Sequence, residues 1–250
     1  MSVNSANEIF DPLSEKIQIN NDLLVSNLTR QDLLLAIPES PILKKLNNGE
    51  KSLAKYLNMV IINETPITTF QGTFTDSLVN YLLVELKFNS HPFMLKLQSD
   101  FNFSVFNKEV SAKAEFIVSK GNAQILIDDD KHIHRLRNCR ENGESLMSAE
   151  ILACAFTNFD NGLSPTAGRS QMFYAMRVIG TKFTFYKAFM SDDYLRSLYK
   201  GFPPDNLSAT IFRFPPINMK TPYGYDYADK NHRSLIIDLL YRLRECLLKM

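Results

Sequence analysis

The chain has few cysteines, and they do not pair. Cys139, Cys154 and Cys246 are an odd number with no Cys-x-x-Cys spacing. This argues against a disulfide scaffold and against a cysteine zinc site, and it suits a reducing compartment. Charge of one sign is also lacking. With 28 Lys and Arg against 27 Asp and Glu, the net charge is +1, so there is no whole-molecule basic field and any nucleic-acid contact must rest on a local patch. No apolar run approaches the length of a membrane span. Nor does the N-terminal stretch have the basic start and apolar run of a secretory leader. The expectation is a soluble intracellular protein, cytoplasmic or nuclear, with no membrane partner and an oligomeric state left open. No Gly-x-Gly-x-x-Gly or Walker-type loop points to a nucleotide-driven machine, and no Gly-x-Ser-x-Gly points to a serine hydrolase. Internal repeats and low-complexity tracts are absent too.

What is present is an ordinary globular composition, 45% hydrophobic and 22% charged over 250 residues, enough for a sizeable core. Leucines at 23, 24, 28, 33, 34 and 35 ahead of Pro38 predict a helix over Asp22–Ile37. A second is expected over Ser52–Ile62. Residues 1–70 are therefore read as a helical N-terminal extension packed on the core, with 71–250 as the main domain. Thr75 is placed to cap a helix over Asp76–Phe88. Strands are expected at Phe93–Leu97, Phe101–Phe106, Ala114–Val118, Ala123–Ile127, Phe173–Ile179, Lys182–Phe189 and Ala209–Phe214. Helices are expected at Glu144–Asn158, from the Ser191 cap to Tyr199, and over Asn231–Leu248. Tyr223–Tyr227 reads as a loop. This order argues for an α/β fold with a mixed central β-sheet flanked by helices.

The stretch Lys113–Glu150 carries the chemistry. Lys120-Gly121-Asn122 is turn chemistry between two apolar runs, the signature of a β-hairpin. Glu115 lies near the start of the first strand, and the second ends in Asp128-Asp129-Asp130-Lys131. Side chains alternate with period two, so Asp129 and Lys131 share a face and Glu115 can join them. Two carboxylates on neighbouring strands can hold a hard divalent cation, Mg2+ or Mn2+. An ammonium beside them stabilises charge that develops on a phosphate. The metal ligands expected are Glu115, Asp129 and the backbone carbonyl of Asp130. Lys131 would assist the water, with Glu150 and Asp76 as supporting acids. Each has a plainer reading: a solvated strand end for the aspartates, a surface lysine for Lys131, a salt bridge for Glu150 and a helix-dipole acid for Asp76. Arg135 and Arg137, in a basic cluster with His134 and Arg140, are candidates for phosphate contacts, as are Lys182 and Lys187 among aromatic residues. His132 and His134 lack a third nearby ligand and read as outward-facing.

An acid on one strand, an acid-x-Lys at the end of the next, and then a helix bearing Glu resembles the PD-(D/E)xK, restriction-endonuclease-like nuclease superfamily. The stretches ILIDDDKHI (125–133), GESLMSAEILACAF (143–156) and RVIGTKFTFYKAFMS (177–191) are similar to a branch of fungal proteins related to modules of Crinkler-type effectors. The likeness runs from about Phe74 to the C-terminus. It implies a restriction-endonuclease-like core, a metal-dependent nuclease acting on DNA or RNA, and an acid on the first helix, where Asp76 stands. The chain departs from the pattern in having Glu115 where Asp is commoner, Asp129 where this branch more often has Glu, and Leu146 in place of a glutamine. The alternative is a non-catalytic effector module that keeps the fold and binds nucleic acid or protein.

Overall fold

Capping residues divide the first quarter of the chain into short helices. In the computed structural model, residues 1–13, 19–25, 27–64, 73–105, 108–120, 123–129, 142–160, 171–217 and 223–250 are described. Helix α1 (Ala6–Ile9) opens on a capping box between Ser5 and Glu8. A 3-10 turn follows at Asn21–Leu23, capped by Asn20. The single helix expected over Asp22–Ile37 does not form. Val25 adopts φ 40°, a left-handed conformation that ends the turn. Thr29 and Asp32 then make a new capping box that starts α2 (Arg30–Leu34). Helix α3 (Pro41–Lys44) has proline in its first turn, where the missing N–H costs nothing. Helix α4 (Asn48–Asn63) starts four residues before the expected Ser52, because Asn47 and Glu50 form a third capping box. Helix α5 (Thr73–Glu85) likewise begins before the expected Thr75 cap.

The strands are β1 (Met94–Val105), β2 (Lys108–Lys120) and β3 (Ala123–Asp129), followed by α6 (Asn142–Asp160), β4 (Gln171–Ile179), β5 (Lys182–Met190) and α7 (Asp192–Lys200). Then come β6 (Thr210–Phe214), β7 (Tyr225–Asp226) and α8 (Lys230–Lys249). They build one seven-stranded sheet in the order β1-β2-β3-β4-β5-β6, with β7 paired to the start of β5. Neighbouring strands are antiparallel except β3 and β4, which run parallel. A parallel pair needs a crossover, and α6 lies within the connection between them. The two strands expected at 93–97 and 101–106 are one continuous β1. The expected loop at 223–227 contributes β7.

Alternation along the strands separates two cores. Tyr174, Met176 and Val178 of β4, with Phe183 and Phe185 of β5, join α4, α5 and α8 and the N-terminal residues Ile9, Phe10, Leu23 and Leu33 in the first core. Phe173 and Ala175, with Tyr186 and Ala188, join Met147, Ile151, Cys154 and Phe156 of α6 and Leu195 of α7 in the second. The fold is therefore a mixed α/β sheet with helices on both faces. Phe10 of the N-terminal segment packs edge-on against Phe185 at 5.7 Å between ring centroids, an aromatic pairing worth about 1 kcal/mol beyond the area it buries.

Candidate functional site

Helix α5 lies over the sheet on the side of the first core. Its first turn carries Asp76, followed one helical turn later by Asn80. These two and Ser77 form one wall of a cavity of about 370 Å3; Leu97 and Gln98 of β1 and Glu115 and Phe116 of β2 form the other. Two of the acids singled out in the sequence, on different elements and 39 residues apart, thus open into the same space.

A break in strand alternation puts Glu115 there. On β2, Ala112 and Ala114 pack toward the second core, whereas Phe116 and Val118 face the first. On β1, Leu95 packs toward the first core, as does Phe93 just before the strand, but Phe101 and Phe103 pack toward the second. Both strands change phase by one residue at the same level. The ladder pairs Leu97 with Phe116 and Ser99 with Ala114 but passes over Gln98 and Glu115, and Gln98 has φ 48°. Unbroken alternation from Phe116 would send Glu115 to the α6 side of the sheet. The phase change brings Glu115 and Phe116 to the α5 side together.

The expected site continues onto β3, whose last residue is Asp129. In the ladder, Phe116 stands opposite Ile127, Asp128 opposite Arg177 and Asp129 opposite Val178, a residue of the first core. Asp129 is described by its backbone. Asp130, Lys131, Arg135 and Arg137 lie outside the described residues, as do His132, His134 and Cys139. Glu150 is buried at 2% exposure within α6, whose apolar residues belong to the second core. The sheet therefore separates Glu150 from Asp76.

Lys182 does not stand free for phosphate. Its Nζ lies 3.4 Å from Glu64 Oε1, the hub of a network that sequence reasoning missed. The Glu64 carboxylate also accepts from the Thr181 backbone N–H at 3.0 Å and pairs with Arg30. Arg30 reaches Asp226 as well, at 2.9 Å, and Asp226 Oδ1 accepts from the Thr181 hydroxyl at 2.7 Å. The Gly180-Thr181 turn is thereby tied to the N-terminal helices and to β7. Lys187 is half-buried on β5, opposite Tyr174 and Phe212. A second missed network surrounds Glu144 in the first turn of α6. One carboxylate oxygen accepts from the Tyr186 hydroxyl at 3.0 Å and from Arg213 Nε at 3.1 Å, and lies 3.9 Å from Arg177. Burial, then the nearby Glu144 charge, pushes the Tyr186 phenol above its ordinary value, so it remains a donor. The partners in both networks are far apart in sequence, and no local pattern marks them.

The cavity at Asp76 and Glu115 offers carboxylate and amide oxygens, the donors that a hard divalent cation takes. No group of three or more His, Cys, Asp or Glu able to hold a metal is found among the described residues, which leave out the side chains of Asp128-Asp129-Asp130. Among those residues, too, no helix is long and apolar enough to cross a membrane. No protein-family model matches the chain, and no curated protein matches it.

Proposed function

We propose that the protein is a metal-dependent nuclease that hydrolyses phosphodiester bonds of DNA or RNA. The observation that carries this reading is the shared cavity of Asp76 and Glu115. It lies beside the strand pair whose second member ends in Asp129, just before Asp130-Lys131. The order of elements, α5, then β1-β2-β3, then α6 and β4, supports a restriction-endonuclease-like core. In that order an acid stands on α5, ahead of the strands, and another on β2, and β3 ends at Asp129, the first residue of the acid-x-Lys in the sequence.

Glu115, Asp129 and the Asp130 carbonyl would hold the Mg2+ or Mn2+, with Asp76 completing the acidic wall. When bound, the ion would supply Lewis acidity toward the phosphate and acidity to a water. The chain's own residues do the rest. Asp76 and Glu115, fixed to a helix and a strand, set where the phosphate can sit without like-charge contact. The Lys131 ammonium offers charge for the transition-state oxygens. The fully buried Leu78 and Val79 behind Asp76 hold its backbone rigid. The second reading, a binding module that keeps the fold without cutting, is favoured by one observation: Glu150 lies across the sheet from the cavity, so it is not one of its acids.

The test is incubation of duplex DNA, single-stranded DNA and RNA with the wild type and with Asp76→Asn and Glu115→Gln, in Mg2+ or Mn2+. The expected result is cleavage of at least one polymer, falling by about 100-fold or more in Glu115→Gln with the far-UV circular dichroism unchanged. Equal cleavage by wild type and Glu115→Gln would sink the assignment of the site. No cleavage of any polymer by the wild type would leave the binding module.

A further inference from the structure

We infer that Gln98 belongs to the cation site, its side-chain amide oxygen joining the carboxylates of Asp76 and Glu115, and that its left-handed backbone is the device that turns both Gln98 and Glu115 into the cavity. The inference rests on the reading of this cavity as a metal site.

Among the described residues, four that are not glycine have positive φ: Val25, Glu39, Lys87 and Gln98. The first three lie in turns or between helices, whereas Gln98 is inside β1. Left-handed backbone is disfavoured for a residue with a Cβ, and glycine or asparagine is its ordinary occupant. A glutamine at such a point in a strand is held in place by the structure around it, and conformations of this kind cluster at functional sites. Gln98 sits at the level where both strands change phase, across the hairpin from Glu115, and it lines the cavity with Glu115 and Asp76.

The residue type suits the place. The cavity wall already holds two carboxylates, and a third would add repulsion whenever the cation is away. An amide carbonyl is a neutral hard-oxygen donor that adds a ligand without that charge. Glycine would satisfy the backbone better, so the side chain needs a role of its own.

The experiment titrates MnCl2 calorimetrically into the wild type and into Gln98→Gly, Gln98→Glu and Glu115→Gln, with a thermal melt of each. Glycine accepts the left-handed backbone and removes the side chain with its amide. The expected result is that Gln98→Gly melts at or above the wild-type temperature yet binds Mn2+ on the order of tenfold more weakly. Gln98→Glu is expected to bind it more tightly than the wild type, as a further carboxylate at the ion should. Mn2+ affinity in Gln98→Gly within twofold of wild type, with binding still lost in Glu115→Gln, would overturn the role of Gln98 and leave the site standing. A wild type without saturable Mn2+ binding would overturn the site and this inference with it.

Discussion

Replacing Glu64 with alanine should destabilise the protein by about 3 kcal/mol, and the figure follows from what its carboxylate holds. The side chain is 10% exposed. One oxygen accepts from the backbone N–H of Thr181, a residue with no exposed surface. A buried donor left without an acceptor costs about 1–3 kcal/mol. The pairs with Lys182 and Arg30 involve cations that are 26% and 39% exposed, and ion pairs this close to water are worth about 1 kcal/mol or less each. Arg30 also keeps Asp226 at 2.9 Å. Glu64→Gln retains an oxygen for the Thr181 N–H and should cost only about 1 kcal/mol. Urea denaturation monitored by circular dichroism reads both differences, provided the slope against urea is unchanged. If Glu64→Ala cost less than 1 kcal/mol, or if alanine and glutamine gave the same midpoint, the network would not be what fixes the Gly180-Thr181 turn. The same geometry predicts that Lys182→Ala leaves nucleic-acid affinity and its salt dependence unchanged, since Lys182 is committed to Glu64.

Arg233 is 1% exposed and donates to the carbonyls of Tyr227, Ala228, Val25 and Leu24. Arg233→Leu strands those acceptors and should cost about 4 kcal/mol in the same urea assay. The Thr29 hydroxyl and backbone N–H both donate to Asp32, at 2.6 and 2.8 Å, and hold its carboxyl below the ordinary value. A depressed folded-state value contributes stability above the unfolded value of 3.8 that is lost as pH falls through the folded one. The Thr29 hydroxyl also accepts from the Asp32 backbone N–H as the helix cap, so Thr29→Ala should cost about 1 kcal/mol at neutral pH. In melts, the gap to wild type should narrow, but not vanish, as pH falls below the unfolded value and the bond to the Asp32 carboxylate is lost. Burial pushes the Cys154 thiol up to about 12, so iodoacetamide at pH 8 should leave Cys154 unmodified in the folded protein and alkylate it in urea, as read by peptide mass spectrometry. If Arg135 and Arg137 contact phosphate, the double Ala variant should lower the slope of log affinity against log salt by about 1.8 on duplex DNA.

Much of the sheet was legible because its inner strands carry the signal themselves. Phe173–Ile179 and Lys182–Phe189 are apolar, and both form strands, at Gln171–Ile179 and Lys182–Met190. They are joined at Gly180, whose φ of 60° suits glycine. Strand β2 was seen only over its apolar half. Lys108–Lys113 is mostly exposed and polar, and it is a strand because β1 satisfies its backbone whatever its side chains are. The N-terminal helices failed for the opposite reason. Leucine spacing over 23–35 suggested one helix, but the caps at Asn20 and Thr29 compete locally for the backbone N–H groups and divide it.

The candidate site was legible as a set of acids but not as a geometry. Period-two alternation suggested that Glu115 could join Asp129, yet the register of β2 and β3, with Phe116 opposite Ile127, would by itself set Glu115 level with Asp128. Counted from Phe116, Glu115 reaches the α5 side through the change of phase at the level of Gln98 and Glu115. That change depends on a backbone conformation, φ 48° at a glutamine, that no residue type announces. Glu150 illustrates the converse. Its position in a helix was right, but which face of the sheet the helix covers follows from the crossover between β3 and β4, a non-local constraint. The cations tell the same story. Lys182 was a candidate for phosphate contact, but it and Arg177 have partners, Glu64 and Glu144, brought in from 118 and 33 residues away. In a chain of net charge +1, basic side chains near the sheet end are neutralised by such distant acids. A surplus for binding nucleic acid has to come from a local run such as His134–Arg140, and the salt dependence of the Arg135 and Arg137 variant reads that surplus directly.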